Sequence, residues 1–262
     1  MGGKIDWDPI RVLAQRVLDQ SEPLELTDEA RTLLRRSARE VAIPAQDAAK
    51  ALRSPSSAKV LLRQIRRRIQ DGARRLAVAE DCASRREDAG DLNGAREQFE
   101  QLLAVEVVPL YRKQARNMLA SIARLQKVAK TGRVDPKLPA LSQLTILLHR
   151  LDQSEPLKLT EGMRSFLRRA AAEAGISKAE AQAALSNPRS AGALLREIVG
   201  RRQRGSRRLG RALLRMMDLR DAGDLEGARQ QMRDLLAVEV VPVYRQAAEE
   251  NLAGLDEPPP AP

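Results

Sequence analysis

Aromatic residues are almost absent from this chain of 262 residues, which contains one Trp, two Tyr and two Phe. Leu and Ala must therefore do most of the packing in any core, and both are good helix formers. A large β-sandwich would use more aromatic and β-branched residues. With 43% hydrophobic and 31% charged residues, the chain has the composition of a globular protein, not a disordered one. The composition predicts an all-α fold.

Cysteine and histidine are equally scarce. Because Cys82 is the only cysteine, an intramolecular disulfide is excluded and nothing requires an oxidising compartment. Cys82 and the single His149 cannot form a structural zinc site. No apolar leader and no apolar run of about 18 residues occurs. The sequence therefore predicts a cytoplasmic protein without membrane insertion.

Motifs that carry chemistry are missing as well. The sequence contains no P-loop, no Gly-x-Gly-x-x-Gly and no EF-hand pattern. His149 has no evident partner for general-base catalysis, and Arg16 stands at the matching position of the repeat described below. The carboxylates are spread along helix faces at ion-pair spacing. These observations predict a protein that is not an enzyme and that holds no metal or cofactor.

What the sequence does contain is an internal repeat at a constant offset of 133 residues. Three blocks recur without any insertion or deletion between them, namely 19–24 as 152–157, 88–92 as 221–225, and 103–109 as 236–242. A unit of this length is a duplicated domain and not one turn of a solenoid.

The repeat divides the chain into four segments. Residues 1–126 and 138–255 are predicted to be two copies of one helical module. Between them, 127–137 (KVAKTGRVDPK) is polar, basic and helix-breaking, which suits a linker. The Pro-rich tail at 256–262 is predicted to be disordered.

Each module is predicted to be a bundle of about six helices. Capping side chains mark several helix starts, namely Asp8 before Pro9, Thr27, Thr160, and Ser177 with Glu180 in a capping box. The fourth helix of each copy is long, at about 57–88 and 190–221. Gly72 and Gly205 lie on its apolar stripe, which predicts close approach of a neighbouring helix there.

A helical hairpin is predicted after the long helix. Gly90-Asp-Leu-x-x-Ala95 is followed by apolar residues at helical spacing, and the same pattern begins again at Gly223 with Ala228. The pattern resembles the second half of a tetratricopeptide hairpin, in which a small Ala lets two helices touch. The Trp and Leu-Gly-x-x-Tyr signature of that family is missing, so the resemblance implies the hairpin geometry and not a peptide groove.

Several longer motifs complete the pattern. They are Asp-Trp-Asp-Pro-Ile near the start, Ser-Glu-Pro-Leu-x-Leu-Thr, Ala-Gly-Asp-Leu-x-Gly-Ala-Arg, and Leu-Ala-Val-Glu-Val-Val-Pro-x-Tyr-Arg. Together they resemble the DUSAM domain, a paralogous myxobacterial family of unknown function. The resemblance covers 5–125 and 138–255 and implies a helical fold but no activity.

The net charge of +11 directs attention to arginines on the two long helices. The candidate partner-binding residues are Arg63, Arg66, Arg67, Arg68, Arg74, Arg75, Arg196, Arg201, Arg202, Arg204, Arg207, Arg208 and Arg211. Such runs could bind phosphates with a steep salt dependence. The alternative is a solvated face that pairs with Asp and Glu of adjacent helices, in a chain whose arginine content reflects a GC-rich genome. Scarce aromatics disfavour single-strand stacking.

A corner at 171–185 resembles a repressor-type helix-turn-helix. The would-be reading helix offers only Lys178, Glu180 and Gln182 near its start, and the first copy offers Gln46 and Asp47. Acidic residues at that place would repel phosphate, so an ordinary helical corner is favoured.

The sequence therefore predicts a non-catalytic scaffold or adaptor that binds another protein. Duplication fits this prediction, because two linked modules raise avidity through effective concentration. The alternative is a basic nucleic-acid-binding protein that uses the long helix and the helix-turn-helix-like corner. The partner's identity and the oligomeric state stay open.

Overall fold

A computed structural model describes residues 5–255 of the chain. Within these residues the regular structure is entirely helical, with twelve α-helices and one π-helical turn. The predicted all-α fold is confirmed. The tail at 256–262, predicted to be disordered, lies outside the described residues.

The helices of the two copies correspond one to one. In the first copy they are α1 Asp8–Ala14 with a π-helical turn Gln15–Asp19, α2 Asp28–Glu40, α3 Ala45–Ala51, α4 Pro55–Asp88, α5 Leu92–Val105 and α6 Pro109–Thr131. In the second copy they are α7 Ala140–Asp152, α8 Glu161–Glu173, α9 Lys178–Ala184, α10 Pro188–Asp221, α11 Leu225–Val238 and α12 Pro242–Gly254. Both ends of α8 to α11 lie 133 residues after those of α2 to α5. The prediction of six-helix duplicated domains is confirmed.

The chain divides into two compact units, Met1–Ala123 and Arg124–Pro262. The predicted helix-breaking linker at 127–137 requires a correction, because α6 continues through its first five residues to Thr131. No helix breaker occurs before Gly132, and Val128 is buried, so the helix has no reason to stop earlier. Gly132, with φ of +65°, follows the last helical residue.

Most helix starts follow from local side chains. Thr27 and Thr160 accept hydrogen bonds from backbone N–H groups in the first turns of α2 and α8, as predicted. Ser177 and Glu180 form the predicted capping box at the start of α9. Each long helix begins two residues before its predicted start, with proline in its first turn.

The predicted cap at Asp8 is wrong. Asp8 is the first residue of α1, and Trp7 occupies the N-cap position without a capping hydrogen bond from its side chain. Asp6 Oδ1 accepts from the backbone N–H of Asp8 at 3.0 Å. Trp7 is buried, donates from Nε1 to Glu40 Oε2 at 3.0 Å, and contacts Tyr111 edge-on with ring centroids 5.6 Å apart. Tertiary contacts of the indole therefore fix where this helix begins, and Asp8 pairs instead with Arg11 at 3.1 Å.

The cores are built on the long helices. Leu61, Ile65 and Leu76 of α4 are buried, as is Ala95 of α5, which is 0% exposed. In the second domain Ala228 of α11 is likewise 0% exposed and lies in a cluster with apolar residues of α10. In both domains the long helix therefore packs against the helix that follows it, as predicted, and the small alanine of that helix is buried.

Candidate functional site: the arginines of the long helices

The candidate arginines are only partly duplicated. Four pairs occupy equivalent positions, namely Arg63 and Arg196, Arg68 and Arg201, Arg74 and Arg207, and Arg75 and Arg208. The other five arginines have a different residue at the matching position of the other copy. Where both arginines of an equivalent pair make the same contact in their own domains, we infer that the contact stabilises the fold.

Arg75 binds a buried carboxylate. Its Nη2 and Nε lie 2.8 and 3.1 Å from Oε2 of Glu106, whose side chain is 0% exposed. The other carboxylate oxygen of Glu106 accepts from the backbone N–H of Val108 at 2.7 Å. In the second domain Arg208 and Glu239 repeat the ion pair at 2.9 Å. A buried carboxylate needs such partners, so these two arginines stabilise the fold.

A tyrosine packs beside this ion pair. The space that a Cβ on Gly72 would need is taken by the ring of Tyr111, and at Gly205 it is taken by Tyr244. The Tyr111 hydroxyl donates to the Ile69 carbonyl at 2.9 Å, and burial raises its pKa above the ordinary value. The predicted close approach at both glycines is confirmed, and what approaches is a tyrosine ring of the last helix.

The arginine after the tyrosine belongs to the same arrangement. Arg112 donates to the carbonyls of Leu103 and Glu106 at 2.7 and 2.6 Å, which satisfies groups at the end of α5. Arg245 makes the same two contacts in the second domain. Sequence reasoning did not assign Glu106 or Arg112, although their repetition in Val-Glu-Val-Val-Pro-x-Tyr-Arg was a usable signal.

Arg68 and Arg201 also have a structural task. Arg68 donates to the carbonyls of Val41 and Ala42 at 2.9 and 2.8 Å, just beyond the end of α2. Arg201 donates to the carbonyl of Gly175 at 2.7 Å, the equivalent place after α8. A cation at a helix C-terminus is favourable for both hydrogen bonding and the helix dipole.

Most remaining arginines pair with acidic neighbours. The ion pairs are Arg66 with Asp19 at 2.7 Å, Arg67 with Asp71 at 3.3 Å, Arg196 with Asp152 at 3.1 Å, Arg202 with Glu173 at 3.2 Å, and Arg204 with Glu197 at 3.4 Å. A hydrogen bond from Arg201 also holds the pKa of Glu197 below its ordinary value. These contacts match the alternative of a solvated face paired with Asp and Glu.

Four of the candidate arginines stand apart. Among the described residues, Arg63, Arg74, Arg207 and Arg211 are exposed and make no ion pair or hydrogen bond. Arg63 and Arg74 are eleven residues apart and so share one face of α4, while Arg207 and Arg211 share one face of α10. Each domain therefore offers two unpartnered cations from the candidate set, far fewer than the sequence suggests.

The helix-turn-helix-like corner offers few side chains that could contact DNA bases or phosphates. Its second helix, α9, has only seven residues. Glu180 is occupied by the capping box, and its hydrogen bonds with Ser177 lower its pKa. Lys178 and Gln182 are exposed, as are Gln46 and Asp47 in the first domain. The geometry is that of a short helical corner with a capped start.

The corner after α5 and α11 exposes apolar side chains in both domains. Val105 is 62% exposed and its counterpart Val238 is 59% exposed. Val107 and its counterpart Val240 are 47% and 50% exposed. They alternate in sequence with the buried Glu106 and Val108 and with the equivalent buried pair of the second domain. We call these four residues the corner valines.

Cys82 is half-buried on α4, and His149 is half-buried on α7. Across residues 5–255, no three His, Cys, Asp or Glu side chains come together in a way that could hold a metal ion. In the same part of the chain, no helix combines the length and apolar character needed to cross a membrane.

Comparison with known proteins gives one match. The model of a family described as a protein of unknown function (DUF2379) matches residues 5–122 and again 139–255. Neither a curated protein nor a solved structure matches the chain. The two matched segments correspond to the two copies of the repeat.

Proposed function

The chain belongs to the DUF2379 family, whose function is unknown, and we propose that it is a non-catalytic scaffold whose two domains each bind another protein. The observation that carries this proposal is the exposure of the corner valines. Apolar side chains that are 47–62% exposed, at the same place in both domains, form the kind of surface that protein interfaces bury.

The repeated block 103–109 contains residues with an evident structural task and residues without one. Glu106 binds Arg75, and Val108 is fully buried. Val105 and Val107 face solvent, yet both are valine again in the second copy. Other exposed valines are not repeated. Position 193 is Ala where the first copy has Val60, and position 211 is Arg where it has Val78.

Duplication supports the same proposal. Two linked binding surfaces turn the second contact into an intramolecular event, so avidity rises without any new contact. Even weak binding at each corner would then give stable attachment to a partner that has two matching sites. The absence of an identified catalytic motif in the sequence is consistent with a protein that acts through binding.

A basic nucleic-acid-binding protein remains the alternative. It would depend on Arg63, Arg74, Arg207 and Arg211, since the other candidate arginines are engaged within their own domains. Two cations per domain would release few counterions, so we expect duplex binding to be weak and only slightly salt-dependent. The corner valines would have no role in such a protein.

Capture from the native cell tests the proposal. The tagged full chain would be compared with a variant that replaces all four corner valines by serine, in lysate with and without nuclease treatment. A matched control replaces Val60 and Val78, which are as exposed but not repeated. We expect wild type and control to retain the same protein and the corner variant to lose it by about tenfold or more. Equal capture by all three, or capture abolished by nuclease, would contradict the proposal.

Three finer assignments belong to the same proposal. We propose that the domains are DUSAM domains, that α4 and α5 form a tetratricopeptide-like hairpin, and that the protein is cytoplasmic. Superposing an experimental structure of the chain on tetratricopeptide hairpins tests the second assignment. A fluorescent fusion imaged in the native cell tests the third.

A further inference from the structure

A shallow groove of about 300 Å³ lies between α10 and α11 of the second domain. Arg211 and Arg215 line it from α10, and Asp234 and Val238 line it from α11. Leu214, which lies between the two arginines in the sequence, is 66% exposed. The groove and its surroundings thus combine exposed cations with exposed apolar side chains, one of which is the corner valine Val238.

The charges in this groove are not balanced within the domain. Arg211 and Arg215 make no ion pair or hydrogen bond with any described residue. Arg208, at the groove wall, is already bound to Glu239. The only acidic residue of the lining, Asp234, accepts a hydrogen bond from a glutamine of its own helix. The groove therefore offers two free guanidinium groups.

The equivalent surface of the first domain lacks both arginines, and Asp81 stands where the second domain has Leu214. Val78 stands where the second domain has Arg211, and Cys82 stands where it has Arg215. Gln101 replaces the acidic residue of the lining. Since α4 and α5 have the same lengths as α10 and α11, the fold does not require the two arginines. They are a property of the second domain alone.

We propose that the groove between α10 and α11 binds an acidic amphipathic helix of the partner protein, an inference that rests on the proposed function. Two adjacent helices present ridges and a groove into which a third helix can pack. Leu214 and Val238 offer apolar contact to one face of such a helix. Arg211 and Arg215, four residues apart on one helix face, can each bind a carboxylate at the edge of that contact.

The charge pattern favours a peptide over a nucleic acid. Exposed Leu214 and Val238 would face solvent or phosphate in a duplex complex, and two guanidinium groups neutralise few phosphates. An acidic helix with an apolar stripe satisfies both features of the groove. Binding would then differ between the two domains, with the second domain setting the specificity for an acidic partner.

Selection from a displayed library of random peptides about 16 residues long, panned against the full chain, tests this inference. Enriched peptides would be labelled with fluorescein, and their binding measured by anisotropy. We expect Asp and Glu flanking apolar residues at i, i+3 and i+4 spacing, and one bound peptide per chain. The double variant Arg211→Val with Arg215→Ala should weaken binding by about tenfold or more. Valine is already tolerated at the first of these positions in the other domain.

A converse variant strengthens the test. Introducing Val78→Arg, Asp81→Leu and Cys82→Arg should create a second groove and raise the stoichiometry from one peptide to two. The proposal that the groove binds an acidic helix would be overturned if enriched peptides bound the double variant as well as the wild type, or if no peptide were enriched. So would nanomolar duplex DNA binding that the double variant loses. A capture variant that replaces only Val105, Val107 and Val240 decides the proposed function separately, because it leaves Arg211, Arg215 and Val238 of the groove in place.

Discussion

Tyr244 closes against Gly205, with Cδ2 of the ring 2.5 Å from the place where a Cβ on that glycine would stand. The glycine lies in the middle of α10, where alanine would ordinarily be favoured by about 1 kcal/mol. The glycine is explained by the tyrosine ring, which occupies the space that the methyl group of an alanine would need. The first domain repeats the relationship with Gly72 and Tyr111.

We therefore predict that Gly205→Ala destabilises the second domain by about 2 kcal/mol, because displacing the ring costs more than helix propensity returns. Gly210→Ala is the matched control, since that glycine lies in the same helix with nothing within 4 Å of its would-be Cβ. It should stabilise by up to about 1 kcal/mol. Urea unfolding followed by circular dichroism measures both. Two variants of equal stability would show that the ring is not fixed against the helix.

A second prediction concerns the turn after α8. Gly175 has φ of +70°, and an added Cβ would overlap the carbonyl oxygen of Val240. Gly175→Ala should cost about 1 to 3 kcal/mol, from left-handed backbone strain and displacement of that carbonyl. Ala42 already holds the equivalent position with φ of 61°, so Ala42→Gly should change stability by less than about 1 kcal/mol. Thermal unfolding of the two variants measures both effects. An unfolding temperature of Gly175→Ala equal to that of the wild type would refute the prediction.

The ion pair of the first domain supplies the third prediction. Arg75→Ala leaves the fully buried Glu106 carboxylate without its cation, which should destabilise by about 3 kcal/mol. The adjacent Arg74→Ala removes an exposed arginine without a partner among the described residues, and it should change stability by less than about 0.5 kcal/mol. Chemical denaturation of both variants, side by side, checks this. A neutral Arg75→Ala would mean that the carboxylate finds solvent or another partner.

The fourth prediction tests the hairpin contacts. Ala95→Arg and Ala228→Arg should each destabilise by about 3 kcal/mol or more, because both alanines are 0% exposed and the change forces a large charged side chain between packed helices. The control Ala77→Arg places the same side chain at an exposed position of α4 and should be tolerated. Denaturant midpoints near the wild-type value for Ala95→Arg would show that the buried face has been misidentified.

Local chemistry made much of the fold predictable from the sequence. Helix starts at Thr27 and Ser177 depend on a side chain and a backbone N–H three residues away, so a short stretch of sequence contains the whole cause. The start of α1 was mispredicted because the cause is distant, since Trp7 is fixed by Glu40 and Tyr111.

The difference between local and distant causes also explains why the contacts of the candidate arginines could not be predicted from the sequence. The run of arginines is visible in the sequence, but the partners of Arg75 and Arg68 depend on which segments of the chain pack beside α4. Arg75 and Glu106 are 31 residues apart, and Arg68 reaches the end of a helix 26 residues away. A count of charges cannot separate these engaged residues from Arg74, which has no partner among the described residues.

We propose that the arginines of the long helices serve mainly in contacts within each domain and that nucleic-acid binding is not the function of the chain. The most direct test is the dissociation constant for a generic DNA duplex at physiological salt. It would be measured for the wild type and for a variant with Arg63, Arg74, Arg207 and Arg211 replaced by glutamate. We expect wild-type binding no tighter than about 10⁻⁶ M. A nanomolar constant that the variant loses would contradict the account.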